Sequence, residues 1–416
     1  MTRVLLLNRY FFPDHSATSQ LATDLTVDFA ACGFEVIAIT SRQRYDDASA
    51  HLAQEQVHAR VRIRRVSTTR FGRQNLAGRA LDYVSFYLGA SVVLWREARR
   101  GAVVIAMTDP PLLGVPALVV ARLRGARCLN WLQDVFPEVA ERLNLLHPRA
   151  LASILRVFRN WSLRRADTNV VIGNHMAARI APLCVSPPVV IPNWALEECA
   201  ELNTTNASSV VAASHPLRAT WGLGEAFIVG YSGNMGRAHR LDELIDAASA
   251  LRSQPGLRFV LIGDGSQRAA LEARVQALKL QNVTFQPYQP RERLRESLRL
   301  PDIHVVSLDE RLEGLIVPSK FVGVIAMGRP VLWIGAAEGE VGSLVRASGC
   351  GVSVLPGDAA ALTQVLRELS YDHQSGGTRL RAMAQQAQTL WRTHFKRRDA
   401  LDAWARTIKH CADGKP

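Results

Sequence analysis

Short apolar runs alternate along most of the chain with longer stretches whose apolar positions recur every three or four residues. The short runs read as buried strands and the longer ones as amphipathic helices. In the first half the predicted strands are 4–8 (VLLLN), 35–40, 102–107, 128–134, 168–173 and 188–193. The helix over 16–33 stops at Gly33. Periodicity fades at 194–222, where Asn, Thr, Ser and Pro accumulate, and the same grammar then restarts. Strands are expected at 227–233, 258–265, 283–288, 303–308, 330–335 and 351–356. Strand–helix alternation gives a parallel sheet covered on both faces. The pattern therefore predicts an α/β protein with one unit over 1–195, a linker over 196–222 and a second unit over 223–385. The helical tail 386–416 is expected to cross back to the first unit. Two doubly wound units of this kind bind ligands at the carboxyl ends of their strands.

Composition adjusts this picture in a few respects. The length of 416 residues exceeds one ordinary core. The formal charge is +13, almost all from arginine, with lysine only at 279, 320, 396, 409 and 415. A basic surface favours anionic partners such as nucleic acid, lipid head groups or phosphorylated small molecules. The six scattered cysteines have neither metal-ligand spacing nor a disulfide pattern, which fits a reducing cytosol. No cleavable signal is read at the amino terminus. No apolar run reaches the roughly 18 residues of a membrane span. Residues 80–95 come nearest, and they carry Asp82. Residues 149–167 and 71–100 combine aromatics with arginines, a pattern of helices that lie on an anionic bilayer or of core helices with solvated arginine faces.

Candidate chemistry gathers in the second half. Gly233, Asn234 and Gly236 follow a strand and precede Arg237, His239 and Arg240. Such a turn either cradles a diphosphate or simply links strand to helix over a basic rim. Gly263 and Gly265 form a second glycine turn, either a substrate contact or ordinary strand–helix punctuation, and Tyr288 ends a strand where a base could stack or the chain simply turns at the surface. Lys320 follows Pro318 and Ser319 at a predicted helix start with apolar flanks, a plausible phosphate contact.

These stretches together resemble the retaining glycosyltransferases of family 4, with the GT-B fold of two facing Rossmann-like domains and a cleft between them. The branch that builds colanic acid, O-antigen and similar exopolysaccharides is the most similar. The segment 8–40, "WLQDVFPEVAERL", "VVIPNWA", "YSGNMGRAH", "IGDGS" and "LEGLIVPSKFVGVIAMGRPV" carry the resemblance. It implies a nucleotide sugar of UDP or GDP type as donor and a lipid-linked or oligosaccharide acceptor. It also implies no metal and no cofactor, and a cytoplasmic enzyme peripheral on the inner membrane face. Gly233 and Asn234 would face the diphosphate, and Ser319 and Lys320 the phosphates or ribose. Glu313 with the backbone of Gly314 and Leu315 would approach the donor sugar. Ser16 and Thr18 are assigned to substrate binding in the first segment. The chain departs from the family where a ribose-binding glutamate is usual: that position holds Gly323.

Breaking a sugar–phosphate bond leaves charge on the departing diphosphate, and Arg237 and Lys320 are the expected clamp. Asp134, after a strand of the first unit, either orients an acceptor hydroxyl or caps a helix. A sugar-nucleotide 2-epimerase of the same architecture needs carboxylates for proton abstraction, for which Asp309, Glu310 and Glu313 are the available acids. A basic nucleic-acid-binding protein is the non-enzyme alternative. Its groove-binding and stacking motifs are missing, so nucleic acid is not expected as a partner.

Overall fold

A computed structural model describes residues 2–45, 47, 49–72, 76–147, 149–195 and 215–413. Most of the predicted linker, 196–214, lies outside the described residues. The chain divides into two compact units. One runs up to Asn193 and includes 314–316 and the tail from Arg398; the other holds 194–313 and 317–397.

The first unit carries eight strands: β1 Arg3–Leu7, β2 Glu35–Ser41, β3 Glu55–His58, β4 Val61–Val66, β5 Val103–Met107, β6 Arg127–Leu132, β7 Thr168–Val171 and β8 Val189–Val190. Their order is β3-β4-β2-β1-β5-β6-β7-β8, and every pairing is parallel except β3 with β4. The second unit carries β9 Phe227–Ser232, β10 Leu257–Ile262, β11 Val283–Gln286, β12 Ile303–Ser307, β13 Val331–Ile334 and β14 Gly351–Val354. They form one parallel sheet, ordered β11-β10-β9-β12-β13-β14. That is a doubly wound order with its direction switch between β9 and β12, so the turn leaving β9 falls where such sheets bind ligands.

The central strands are buried on both faces, which is why they read as unbroken apolar runs. The β3–β4 hairpin is absent from the sequence prediction, because "VRIRRV" puts arginine where a strand of the core would be apolar. Val61 and Ile63 face inward, while Arg62 and Arg64 reach Glu35 and Glu97 at 2.7 and 3.1 Å. β3 is an exposed antiparallel edge. The tail forms two helices, Thr378–His394 and Arg397–Ala412. Trp404 of the second is fully buried with its ring 4.8 Å from that of Trp131 on β6. Among the described residues no helix is long and apolar enough to cross a membrane.

Candidate functional site

The turn after β9 is built on the turn after β10. Gly233 donates its N–H to Ile262 O at 2.9 Å, Met235 to Asp264 O at 2.7 Å, and Gln267 to Met235 O at 3.0 Å. The glycines at 263 and 265 serve this contact. Both have positive φ, and a Cβ on either would collide with the first turn, at Gly233 O (2.2 Å) or at Asn234 Oδ1 (2.5 Å). Gly263 and Gly265 thus shape the first turn by backing it. Gly233 and Met235 engage their N–H groups in this packing. The N–H groups of Asn234, Gly236 and Arg237 have no partner among the described residues.

Against this turn stands Lys320, the first residue of the helix Lys320–Ala326. Its Cε would lie 2.6 Å from a Cβ at Gly233, where φ is +127°, so glycine is required by both backbone and space. Lys320 Nζ donates to Tyr231 Oη, to Asn234 O at 3.2 Å and to His239 Nε2 at 3.0 Å. It also lies 4.1 Å from the centre of the Tyr231 ring. His239 Nδ1 donates to Ser307 O at 2.7 Å, which leaves Nε2 as the acceptor for the lysine. Burial and the neighbouring ammonium lower the His239 pKa to about 3, so the imidazole is neutral. Every partner of Lys320 among the described residues is therefore uncharged. By exposed surface the residue is only half-buried. Protein nevertheless surrounds the ammonium closely enough for desolvation to lower its pKa well below that of a free lysine. A cation held only by neutral acceptors, beside unpaired amides, is suited to receive an anion.

The other expected residues are placed as follows. Arg237 is exposed and, among the described residues, has no ion pair. Arg240 is engaged elsewhere: Nη2 pairs with Glu243 Oε1 at 2.7 Å. Ser319 is exposed at the N-cap of the lysine helix, and its hydroxyl makes no cap hydrogen bond. Tyr288 is exposed beyond β11. Glu313 Oε1 accepts from Glu340 N at 2.8 Å, at the start of the helix Glu340–Ser348. Gly314 and Leu315 group with the first unit, where Leu315 O accepts from Val135 N at 2.9 Å. That carbonyl is thereby occupied. Gly323 lies within the lysine helix, and a Cβ there would make only ordinary contact, 3.6 Å from Leu298 Cδ1. Sequence reasoning missed Tyr231 as a partner of Lys320 and Ser307 as the group that fixes His239. A tyrosine just before the strand's end was the available signal for the first.

In the first unit, Ser16 is the N-cap of the helix Ala17–Ala31; its N–H is bonded to Asp14 Oδ1 at 2.8 Å and its hydroxyl is buried without a partner among the described residues. Thr18 is half-buried two residues on. Asp134 lines a cavity of about 40 Å³ with Thr108, Asn130 and Arg159. Its Oδ1 is shielded and has no hydrogen-bond partner among the described residues. Burial raises its carboxyl to about 7, partly offset by a hydrogen bond with Thr108. The helix-cap alternative fails: the next helix, Glu138–Arg142, has Pro137 at its N-cap and no side-chain cap bond. A larger hollow of about 670 Å³ lies on the helices Asp242–Ala250 and Arg268–Ala277, lined by none of the candidate residues. Among the described residues no group of three His, Cys, Asp or Glu is placed to hold a metal ion.

Residues 226–372, most of the second unit, match the family described as Glycosyl transferases group 1. Over 297 residues the chain is 28% identical to WcaI of Escherichia coli (strain K12), named for colanic acid biosynthesis as a glycosyl transferase; the match spans 70% of this chain and 72% of that protein. Among solved structures, the sucrose-phosphate synthase of Thermosynechococcus elongatus superposes with a TM-score of 0.78 at 15% identity, covering 100% of both chains. HepE of Anabaena, in complex with UDP-glucose, superposes with a TM-score of 0.68 at 16% identity, covering 98% of this chain and 100% of that one. At these identities the structural likeness concerns the fold, which is GT-B: two units, each with a doubly wound sheet.

Proposed function

We propose, from the premise that this chain is a group 1 glycosyltransferase acting in polysaccharide biosynthesis, that it moves a sugar from a nucleoside-diphosphate donor to a polyprenyl-diphosphate-linked saccharide, with retained anomeric configuration. The reading rests chiefly on Lys320, a cation whose every partner among the described residues is neutral. A diphosphate supplies the counter-charge that the protein withholds. The HepE structure is a complex with UDP-glucose, which supports a UDP sugar as the first donor to try. In the step itself the bond from the anomeric carbon to the diphosphate oxygen breaks, and a bond to the acceptor oxygen forms on the same face. The acceptor proton passes to the departing phosphate oxygen. Lys320, Arg237 and the amides of Asn234, Gly236 and Arg237 stabilise the charge that develops, without a metal ion. Asp134 orients the acceptor hydroxyl in its ionised form.

The epimerase alternative needs a free carboxylate. Asp309 is held by Arg311 at 2.6 Å and Glu313 is bonded to Glu340 N, which disfavours both as bases. Incubation with UDP- or GDP-sugars and a polyprenyl-diphosphate saccharide in EDTA, read by NMR of the product anomer, tests the proposal. Retention and EDTA insensitivity are expected. Inversion, loss of turnover in EDTA, or conversion of the nucleotide sugar without acceptor would overturn it.

A further inference from the structure

Three helices of the first unit carry apolar side chains on their solvent faces. On Leu76–Glu97 the exposed positions include Leu81, Val84, Leu88, Val92 and Trp95, spaced by three or four residues. They form one apolar stripe on a helix whose other face, with Phe86, Ala90 and Leu94, is already in the core. The neighbouring helix Gly114–Leu123 adds exposed Val119 and Leu123. The next, Arg149–Arg165, exposes Leu151, Ile154, Val157, Phe158 and Trp161, and buries Arg159. Its inward arginines are engaged within the unit: Arg159 Nη2 lies 2.6 Å from Glu138 Oε1, and Arg156 Nη2 lies 2.6 Å from Glu141 Oε2. A surface helix normally does the reverse. Both sequence readings keep a share: Leu76–Glu97 packs one face into the core, while Arg149–Arg165 turns its apolar side chains outward and buries Arg159.

The three helices pack side by side, and their carboxyl ends are tied together. Arg124 Cζ lies 5.3 Å from the centre of the Trp95 ring, and Arg122 Nη2 donates to Arg165 O at 2.5 Å. Around these ends Arg96, Arg100, Arg122, Arg124, Arg164 and Arg165 are all exposed, and none has a carboxylate partner among the described residues. One edge of the apolar face is thus a cluster of unneutralised guanidinium groups.

We propose that this face docks on an anionic lipid bilayer, with the apolar stripes lying in the acyl boundary and the arginine edge meeting lipid phosphates. The charge cluster selects this occupant. A second copy of the chain would set like charges against each other, whereas anionic head groups neutralise them. Apolar side chains that lie flat at an interface bury a few ångströms without any spanning segment, in keeping with the absence of a crossing helix among the described residues. The inference extends the proposed lipid-linked acceptor, but its test requires no turnover, so either can fail alone.

The test is co-sedimentation of the full chain with vesicles of phosphatidylcholine alone or with added phosphatidylglycerol. The wild type should pellet with the anionic vesicles and release as salt rises. Leu88→Gln with Phe158→Gln should lower the partition constant by about tenfold or more. Arg164→Gln with Arg165→Gln should lower it by about tenfold on anionic vesicles only. All four side chains are exposed, so both variants should keep the wild-type melting temperature, and both should still be stabilised by UDP or GDP. A wild type that stays in the supernatant with anionic vesicles at low salt would overturn the proposal. So would salt-insensitive binding equal on both vesicle types. A dimer in sedimentation velocity, dissolved by Leu88→Gln with Phe158→Gln, would hand the face to a second copy instead.

Discussion

Replacing Lys320 with Met removes the ammonium and keeps the length of the side chain. In the free protein two effects oppose each other. The change leaves His239 Nε2 without its donor, at a cost of about 1–3 kcal/mol. It also removes a desolvated charge that has no carboxylate partner, which returns an amount of the same order. Stability should therefore change by about 1 kcal/mol or less, a shift of only a few degrees in melting temperature. Nucleotide binding has no such compensation. One hydrogen bond to a charged group contributes about 1.5–3 kcal/mol, so affinity for the nucleoside diphosphate should fall about ten- to hundredfold. Turnover should fall about a hundred- to a thousandfold, because the diphosphate gains charge in the transition state. Binding should also carry a proton signature. Burial depresses the lysine in the free protein, and a bound diphosphate raises it again. At pH values between the depressed and the ordinary pKa, wild-type binding should take up a proton that Lys320→Met does not. Titration calorimetry in two buffers of different ionisation enthalpy measures this directly. Wild-type affinity and turnover in Lys320→Met, or identical proton uptake in both proteins, would refute the reasoning.

Further substitutions probe the surroundings. Gly233→Ala would place a Cβ 2.6 Å from Lys320 Cε at a φ of +127°; it should cost about 1–3 kcal/mol in denaturant unfolding and reduce nucleotide affinity by displacing the lysine. Glu313→Ala should lower stability by about 0.5–2 kcal/mol through the lost bond to Glu340 N, and Glu313→Gln should restore it; equal melting temperatures for all three proteins would remove that role. For Asp134 the folded carboxyl titrates near 7 and an unfolded one near 4. Across that window the folded chain holds a proton the unfolded chain has released, so stability falls as pH rises, and Asp134→Asn should abolish this decline. Wild-type turnover should rise with pH through about 7, a limb that Asp134→Asn lacks.

Much of this was legible in the sequence because parallel strands buried on both faces are continuous apolar words. β1, β5, β9 and β10 stand out for that reason, and the strand–helix alternation sets the doubly wound class. β4 was not legible: its arginines pair with Glu35 and Glu97, acids far away in sequence. The proximity of Lys320 to the 233–236 turn is likewise a product of strand order, since β9 and β12 are neighbours in the sheet but distant in the chain. Spacing marked Gly263 and Gly265 as a glycine turn but not its neighbour: their positive φ and close approach show them packed against the turn after β9. Composition revealed arginine-rich amphipathic helices but not their sense of rotation. Which face is inward depends on Glu138 and Glu141: Glu138 pairs with the buried Arg159 and Glu141 with the partly exposed Arg156.

The central claim is that the second unit holds a diphosphate with Lys320 and the free amides after β9, without a divalent ion. A crystal structure of the protein with UDP or GDP, grown in EDTA, tests it most directly. The account predicts phosphate oxygens within hydrogen-bond distance of Lys320 Nζ and of at least one amide of Asn234, Gly236 or Arg237. A diphosphate bound elsewhere on the unit, with Lys320 still bonded only to Tyr231, Asn234 and His239, would contradict it.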